Sequence, residues 1–156
     1  MNTPSALLRP HHVNYVVSDL DRSIPFYRDL LGFNLIQDAM RENLPSYDAI
    51  FGRAGIRVRV ALFELPDTKL LLELFQFFHP EPIRREVTYH AIGSSHTAFE
   101  VCGLDEFCGR LVACGEKFLS APVDIVREGR LLARAVYLLD PDGIVIELLE
   151  LNAGSH

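Results

Sequence analysis

A chain of 156 residues that is 49% hydrophobic and 23% charged is long enough to bury a core and too apolar to be disordered. Its net charge of −6 is the wrong sign for a general nucleic-acid binder. No run approaches the roughly 18 apolar residues of a membrane span, and the opening MNTPSALLRP lacks the layout of a signal peptide, so a cytoplasmic location is expected. Cys102, Cys108 and Cys114 are odd in number and form no CxxC. That excludes a disulfide framework or zinc knuckle and predicts reduced, mostly buried thiols.

The first predicted element is a strand over residues 12–18. His12, Asn14 and Val16 fall on one face, and Val13, Tyr15 and Val17 on the other. The segment SDLDRSIPFYRDLLG predicts a helix started by Asp19 or Asp21, with Pro25 near its first turn. Phe26, Leu30 and Leu31 form its apolar stripe, and Gly32 closes it. FNLIQD is a second strand. IRVRVALFEL (56–65) alternates strictly, with Ile56, Val58, Val60 and Leu62 against Arg57, Arg59, Ala61 and Phe63. After the PDTK turn, LLLELFQFF is a fourth strand, apolar on both faces except at Glu73. Arg57 with Arg59, and Arg84 with Arg85, are the local cation clusters able to hold an anion.

The second half repeats this order. SSHTAFEVCGLDEFCGRLVACGEKFL aligns with the opening stretch, so that His12 matches His96, Leu20 matches Leu104 and Asp21 matches Asp105. Further on, LPDTKLLLEL matches LDPDGIVIEL and pairs Glu73 with Glu147. The chain is therefore expected to be one domain of two βαβββ modules, about 8–78 and 95–151, joined by a linker at 79–94. The insertion 40–55 has no counterpart in the second half, and loops of that length are often binding loops or lids.

The repeat singles out four residues. Each half carries a histidine on its first strand and a glutamate on its last: His12 and Glu73, His96 and Glu147. A glutamate among apolar strand residues is costly unless it is paired or on a metal. Two imidazoles and two carboxylates without a nearby lysine suit one divalent ion such as Ni, Co, Zn, Mn or Fe. His11 has the opposite parity and is expected to be structural or exposed.

The stretches HHVNYVVSDLDRSIPFYRDLLGF, LLLELFQ, SSHTAFEV and YLLDPDGIVIELLE resemble the vicinal oxygen chelate superfamily. Its members include glyoxalase I, methylmalonyl-CoA epimerase, extradiol dioxygenases, and fosfomycin and bleomycin resistance proteins. The resemblance covers about residues 8–151. It implies an α+β fold of two paired βαβββ modules in a curved, incomplete barrel around a metal site, and a homodimer. It also maps the family's metal ligands onto His12, Glu73, His96 and Glu147. This His/Glu/His/Glu set is most similar to glyoxalase I. The resemblance thus implies a lyase or isomerase that moves a proton next to a metal-bound carbonyl of a small-molecule substrate, with Glu147, and symmetrically Glu73, as the catalytic base. Epimerases are similar but often carry glutamine at the Glu73 position. Extradiol dioxygenases share the run Tyr137, Asp140, Pro141, Gly143, Glu147, but their preceding histidine is missing from REGRLLARAV. A non-enzymatic binding or resistance protein is the remaining alternative. Arg57, Arg59, Tyr47, Phe51 and Glu100 are the candidate substrate-binding residues.

Overall fold

A computed structural model describes residues 7–84 and 88–152. Arg85, half of one expected cation pair, lies outside the described residues. The chain divides into two compact units, Met1–Ile83 and Arg84–His156, each an α+β layer of one sheet with a helix packed on it.

In the first unit, β1 (His12–Val16) leads to α1 (Leu20–Pro25), then β2 (Asn34–Glu42), α2 (Pro45–Phe51), β3 (Arg57–Glu64) and β4 (Leu71–His79). The sheet order is β1-β4-β3-β2. β1 runs parallel to β4, and β3 is antiparallel to both of its neighbours. Helix α1 starts as its sequence dictates, with the Asp19 carboxylate accepting from the Asp21 N–H.

Pro25 is not in the first turn. It is the last residue of α1, and Phe26–Leu30 continue as one π-helical turn. Pro25 has no N–H to donate, and its ring crowds the carbonyl four residues back, so the chain widens there. Leu31 then bonds to the Phe26 carbonyl. The wider turn rotates the buried face: Leu20, Ile24, Phe26 and Tyr27 are buried, while Leu30 and Leu31 are only half-buried. The expected stripe was displaced because it assumed 3.6 residues per turn throughout. Gly32 takes φ +80°, which the close of this segment requires of a residue without Cβ.

Alternation in β3 and β4 sorts the sheet into two faces. Ala61, Phe63, Leu72 and Leu74 are fully buried beneath α1 and the π turn, around Tyr27. Glu73, Phe75 and Phe77 lie on the other, open face, opposite Leu62, Val60 and Val58 in register.

The second unit contains β5 (Thr97–Glu100), α3 (Leu104–Ala113), β6 (Lys117–Phe118), β7 (Val123–Arg127), β8 (Arg130–Leu139) and β9 (Val145–Leu151). The order is β5-β9-β8-β6, with β7 also pairing with β8. The strand equivalent to β2 is broken in two, where Pro122 removes a ladder donor. Of the cysteines only Cys108 is buried; Cys102 and Cys114 are free and exposed. Cys102 precedes α3 and Cys114 caps its C-terminus, so neither falls on the helix's buried face. Burial pushes the Cys108 thiol pKa up.

The helix-bearing faces of the two units are built alike. Arg59 on β3 holds Asp38 of β2 through Nε and Nη2, both at 2.7 Å, and Asp21 of α1 through Nη1 at 2.7 Å. Arg134 on β8 holds Asp105 of α3 at 2.7 and 2.9 Å and Asp124 of β7 at 3.2 Å. The Gln76 side chain accepts from the Leu20 N–H at the start of α1 (3.1 Å). The Glu150 carboxylate does the same for Gly103 (2.7 Å) and Leu104 (3.2 Å) at the start of α3. Gln76 and Glu150 each stand three residues after the repeated glutamate, which turns them to the opposite face and under the helix. The Arg59 and Arg134 guanidiniums hold the Asp38 and Asp105 carboxyls below their usual range, chiefly through hydrogen bonds, with burial opposing and charge adding a smaller lowering.

Candidate metal and substrate site

The open faces carry the repeated His/Glu pairs. Parallel pairing sets Asn14 opposite Glu73 and Ala98 opposite Glu147. In both units the histidine is therefore two residues before the glutamate's register partner. Parity turns both side chains to the same face. His12 Nε2 lies 3.7 Å from Glu73 Oε2, and His96 Nε2 lies 3.1 Å from Glu147 Oε2. The two glutamates are similarly sheltered, 19% and 17% exposed, beside more open imidazoles.

Two bonds of about 2.1 Å opened at about 90–110° on one metal set their donor atoms about 3.0–3.4 Å apart. The second pair falls in that interval, and the first lies a few tenths of an ångström outside it. The donor set, imidazole nitrogen with carboxylate oxygen, fits a divalent transition metal. Among the described residues, no group of three or more His, Cys, Asp or Glu side chains is gathered tightly enough to hold a metal ion. Each unit brings two.

The surroundings of the pairs differ. In the first unit, Asn14 Nδ2 donates to Glu73 Oε2 at 3.1 Å, and His11 Nδ1 meets His12 Nδ1 at 2.9 Å. His11 is exposed, as its parity suggests. Its ring nevertheless touches His12 edge-on, because neighbouring rings on an extended chain can meet at the strand's first residue. In the second unit, Ala98 and Ser95 occupy the positions of Asn14 and His11. There Tyr137, opposite Glu147 in register, brings its ring 5.2 Å from His96. Its counterpart opposite Glu73 is Leu62. The contacts of Asn14 and His11 were not assigned from the sequence. For Asn14 the signal was there, since it shares the parity of His12.

The insertion splits into an extension of β2 and helix α2, closed by Gly52 at φ 62°. The Asp48 carboxylate accepts from the N–H groups of Gly55 (3.0 Å) and Ile56 (2.9 Å), which lower its pKa. This turns α2 over the open face. Tyr47 packs with Phe75 and Phe77 against the buried cluster Ile56, Val58 and Val60. The Phe51 ring lies 6.1 Å from that of Phe75 and 5.5 Å from that of Phe77. Tyr47 and Phe51 thus form an aromatic wall over Phe75 and Phe77, which stand two and four residues beyond Glu73 on its face of the strand. Glu100 lies on the His96 face of β5 and is exposed.

The two arginines sit otherwise than expected. Arg59 pairs in register with Gln76, on the helix-bearing face opposite Glu73, with its guanidinium already spanning two carboxylates. Period-two alternation forbids it from also reaching the open face. Arg57 shares its parity and holds Glu42 at 3.1 Å.

Compared with known proteins, the chain matches the Glyoxalase/Bleomycin resistance protein/Dioxygenase superfamily over residues 9–148. A 2-epi-5-epi-valiolone epimerase of Actinomyces sp. is 31% identical over 152 residues, covering 93% of this chain and 80% of that protein. A glyoxalase family protein from Bacillus cereus, of solved structure, is 28% identical with a TM-score of 0.84, covering 97% of this chain and 99% of that one. The trypanothione-dependent glyoxalase I of Leishmania major is 22% identical with a TM-score of 0.60, covering 92% and 87%; this last likeness concerns the fold alone. Among the described residues, no helix is long and apolar enough to cross a membrane.

Proposed function

The chain belongs to the glyoxalase/bleomycin resistance/dioxygenase superfamily, and from that premise we propose that it is a metal-dependent lyase or isomerase that moves a proton at the carbon next to a substrate carbonyl. One observation carries the reading. The same His/Glu pair occurs twice, at the same strand register, with donor atoms 3.7 and 3.1 Å apart. His12, Glu73, His96 and Glu147 would hold one divalent ion, of Ni, Co, Zn, Mn or Fe character. When bound, such an ion supplies Lewis-acid polarisation of a carbonyl oxygen.

The residues do the rest. Glu147 takes the proton from the carbon next to the carbonyl, because among the described residues no amide ties its carboxylate, which meets the His96 ring nitrogen at 3.1 Å. It then returns the proton to a neighbouring atom or to the other face. Glu73, tied by Asn14, is the symmetric partner that stays in place. Tyr47 and Phe51 line the apolar side of a small-molecule substrate, and Glu100 edges it. The protein works as a homodimer, as its family suggests.

The Actinomyces relative, an epimerase at 31% identity, favours a second form of the same chemistry, in which the proton returns to the opposite face of the same carbon. Solvent-deuterium exchange tests both. Metal-loaded protein in D2O would be offered the methylglyoxal–glutathione hemithioacetal, 2-epi-5-epi-valiolone and methylmalonyl-CoA. Wash-in of deuterium next to the carbonyl of one of them is expected, with isomerised product. Exchange with none, accompanied by oxygen uptake on a catechol, would replace this reading with ring cleavage. Binding without turnover would replace it with a sequestering protein.

A further inference from the structure

The two His/Glu pairs are equivalent in register but not in support. His12 has the ring of His11 on its Nδ1 at 2.9 Å. Glu73 has the Asn14 amide on one oxygen at 3.1 Å. Ser95 and Ala98 stand at the corresponding places beside His96 and Glu147, and Ala98 offers no donor. We infer that His11 and Asn14 are positioning residues that pre-set the first pair as the fixed half of the metal site and leave the second pair free to move. The inference rests on the proposed metal-dependent function.

The chemistry is as follows. Two facing Nδ1 atoms require one to carry the hydrogen and the other to accept it. When His12 donates from Nδ1 to His11, its Nε2 keeps a lone pair on the side of Glu73, which is the tautomer a metal ligand needs. His11 is therefore a lock on ring orientation and tautomer, supplied by the adjacent residue. Asn14 acts on the carboxylate. Its Nδ2 donates to Oε2, the same oxygen that lies 3.7 Å from His12 Nε2, which fixes the carboxylate rotation while a carboxylate oxygen keeps a further lone pair for an ion. His11 and Asn14 are exposed and outside the core, so neither contact is a by-product of packing. The second pair lacks these two contacts: Ala98 offers Glu147 no amide, and His96 meets the Tyr137 ring at 5.2 Å and the Glu147 carboxylate at 3.1 Å. A carboxylate that must leave its partner to carry a proton works from there.

The test uses the full chain and Co(II) alone as the probe, in competition with a chromophoric chelator, and records the Co(II) visible spectrum. H11A and N14A are each expected to lower affinity about 10- to 100-fold, the usual cost of removing a group that orients a metal ligand, and to shift the spectrum. The fold, followed by circular dichroism, is expected to stay unchanged. H11N and N14Q, which keep an acceptor and a donor, should recover part of the loss; a purely structural defect would not be rescued in this way. Affinity within about twofold of wild type for both H11A and N14A, with H12A abolishing binding, would overturn the inference and leave the proposed function standing. Absence of Co(II) binding by the wild-type chain would overturn both.

Discussion

The two units agree on one face and differ on the other. Under the helices, Arg59 and Arg134 make the same clamp onto Asp21 and Asp105, and Gln76 and Glu150 tie down the same helix ends. On the open faces the paired His and Glu recur, but Asn14, His11, Leu62 and α2 in one unit stand against Ala98, Ser95, Tyr137 and, among the described residues, no inserted helix in the other. Folding needs each helix fixed to its sheet, and that requirement is the same in both units. A substrate is not symmetric, and a proton taken by one carboxylate need not be shared by the other. The difference teaches that the repeat supplies the scaffold and the ligands, while departures from the repeat supply roles.

The largest expected effect separates the two glutamates. E147Q should lower turnover by about 10²–10⁴, the range for loss of a positioned general base, and weaken metal binding as well. E73Q should mainly weaken metal binding. Equal losses of turnover at full metal occupancy would erase the proposed division of labour. A98N sharpens the same comparison by giving Glu147 the amide that Glu73 already has; turnover about tenfold lower, with metal affinity kept, is expected from steady-state rates beside chelator competition.

The clamps come next. Asp38 is 30% exposed where its counterpart Asp124 is 62%, so R59M should destabilise more than R134M. About 1 kcal/mol is reasonable for Arg59 once screening of a partly exposed network is counted, and thermal unfolding would measure it. The pH dependence has a definite sign. The Asp38 and Asp105 carboxyls have lowered folded-state pKa values. The stability they add is complete above the unfolded value of about 3.9 and is lost as pH falls through the folded values. R59M and R134M should flatten the acid side of the stability curve, and flatness already present in the wild type would contradict the clamps. The smallest effect is expected at α2. F51A should raise KM a few-fold for a substrate with an apolar portion and leave kcat nearly unchanged, because Phe51 sits on the aromatic wall and 40% exposed.

Much of this was legible in the sequence. Matching His12 with His96 and Glu73 with Glu147 placed each pair at one register, because alternation in strands is strict and the repeat carries it over. The strands departed from expectation where β2 runs on to Glu42 into the insertion, and where proline intervenes, at Pro122. In the first helix, Pro25 turned the apolar stripe by opening a π turn that no period of 3.6 describes. Arg59 was misjudged because a cation on an alternating strand looks the same whether it faces solvent, a substrate or a helix. Asp21, Asp38 and Arg59 are distant in sequence and met only through β2, β3 and α1. The contact of His11 with His12 depends on side-chain torsions at a strand end, which parity does not encode.

The most direct test of the central claim is the divalent metal content of the chain, purified without chelators and then titrated, for wild type, H12A and H96A. The proposed single shared ion predicts about one ion per chain in the wild type and its loss in either variant. Two ions per chain, each removed by only one of the variants, or no uptake at all, would contradict it.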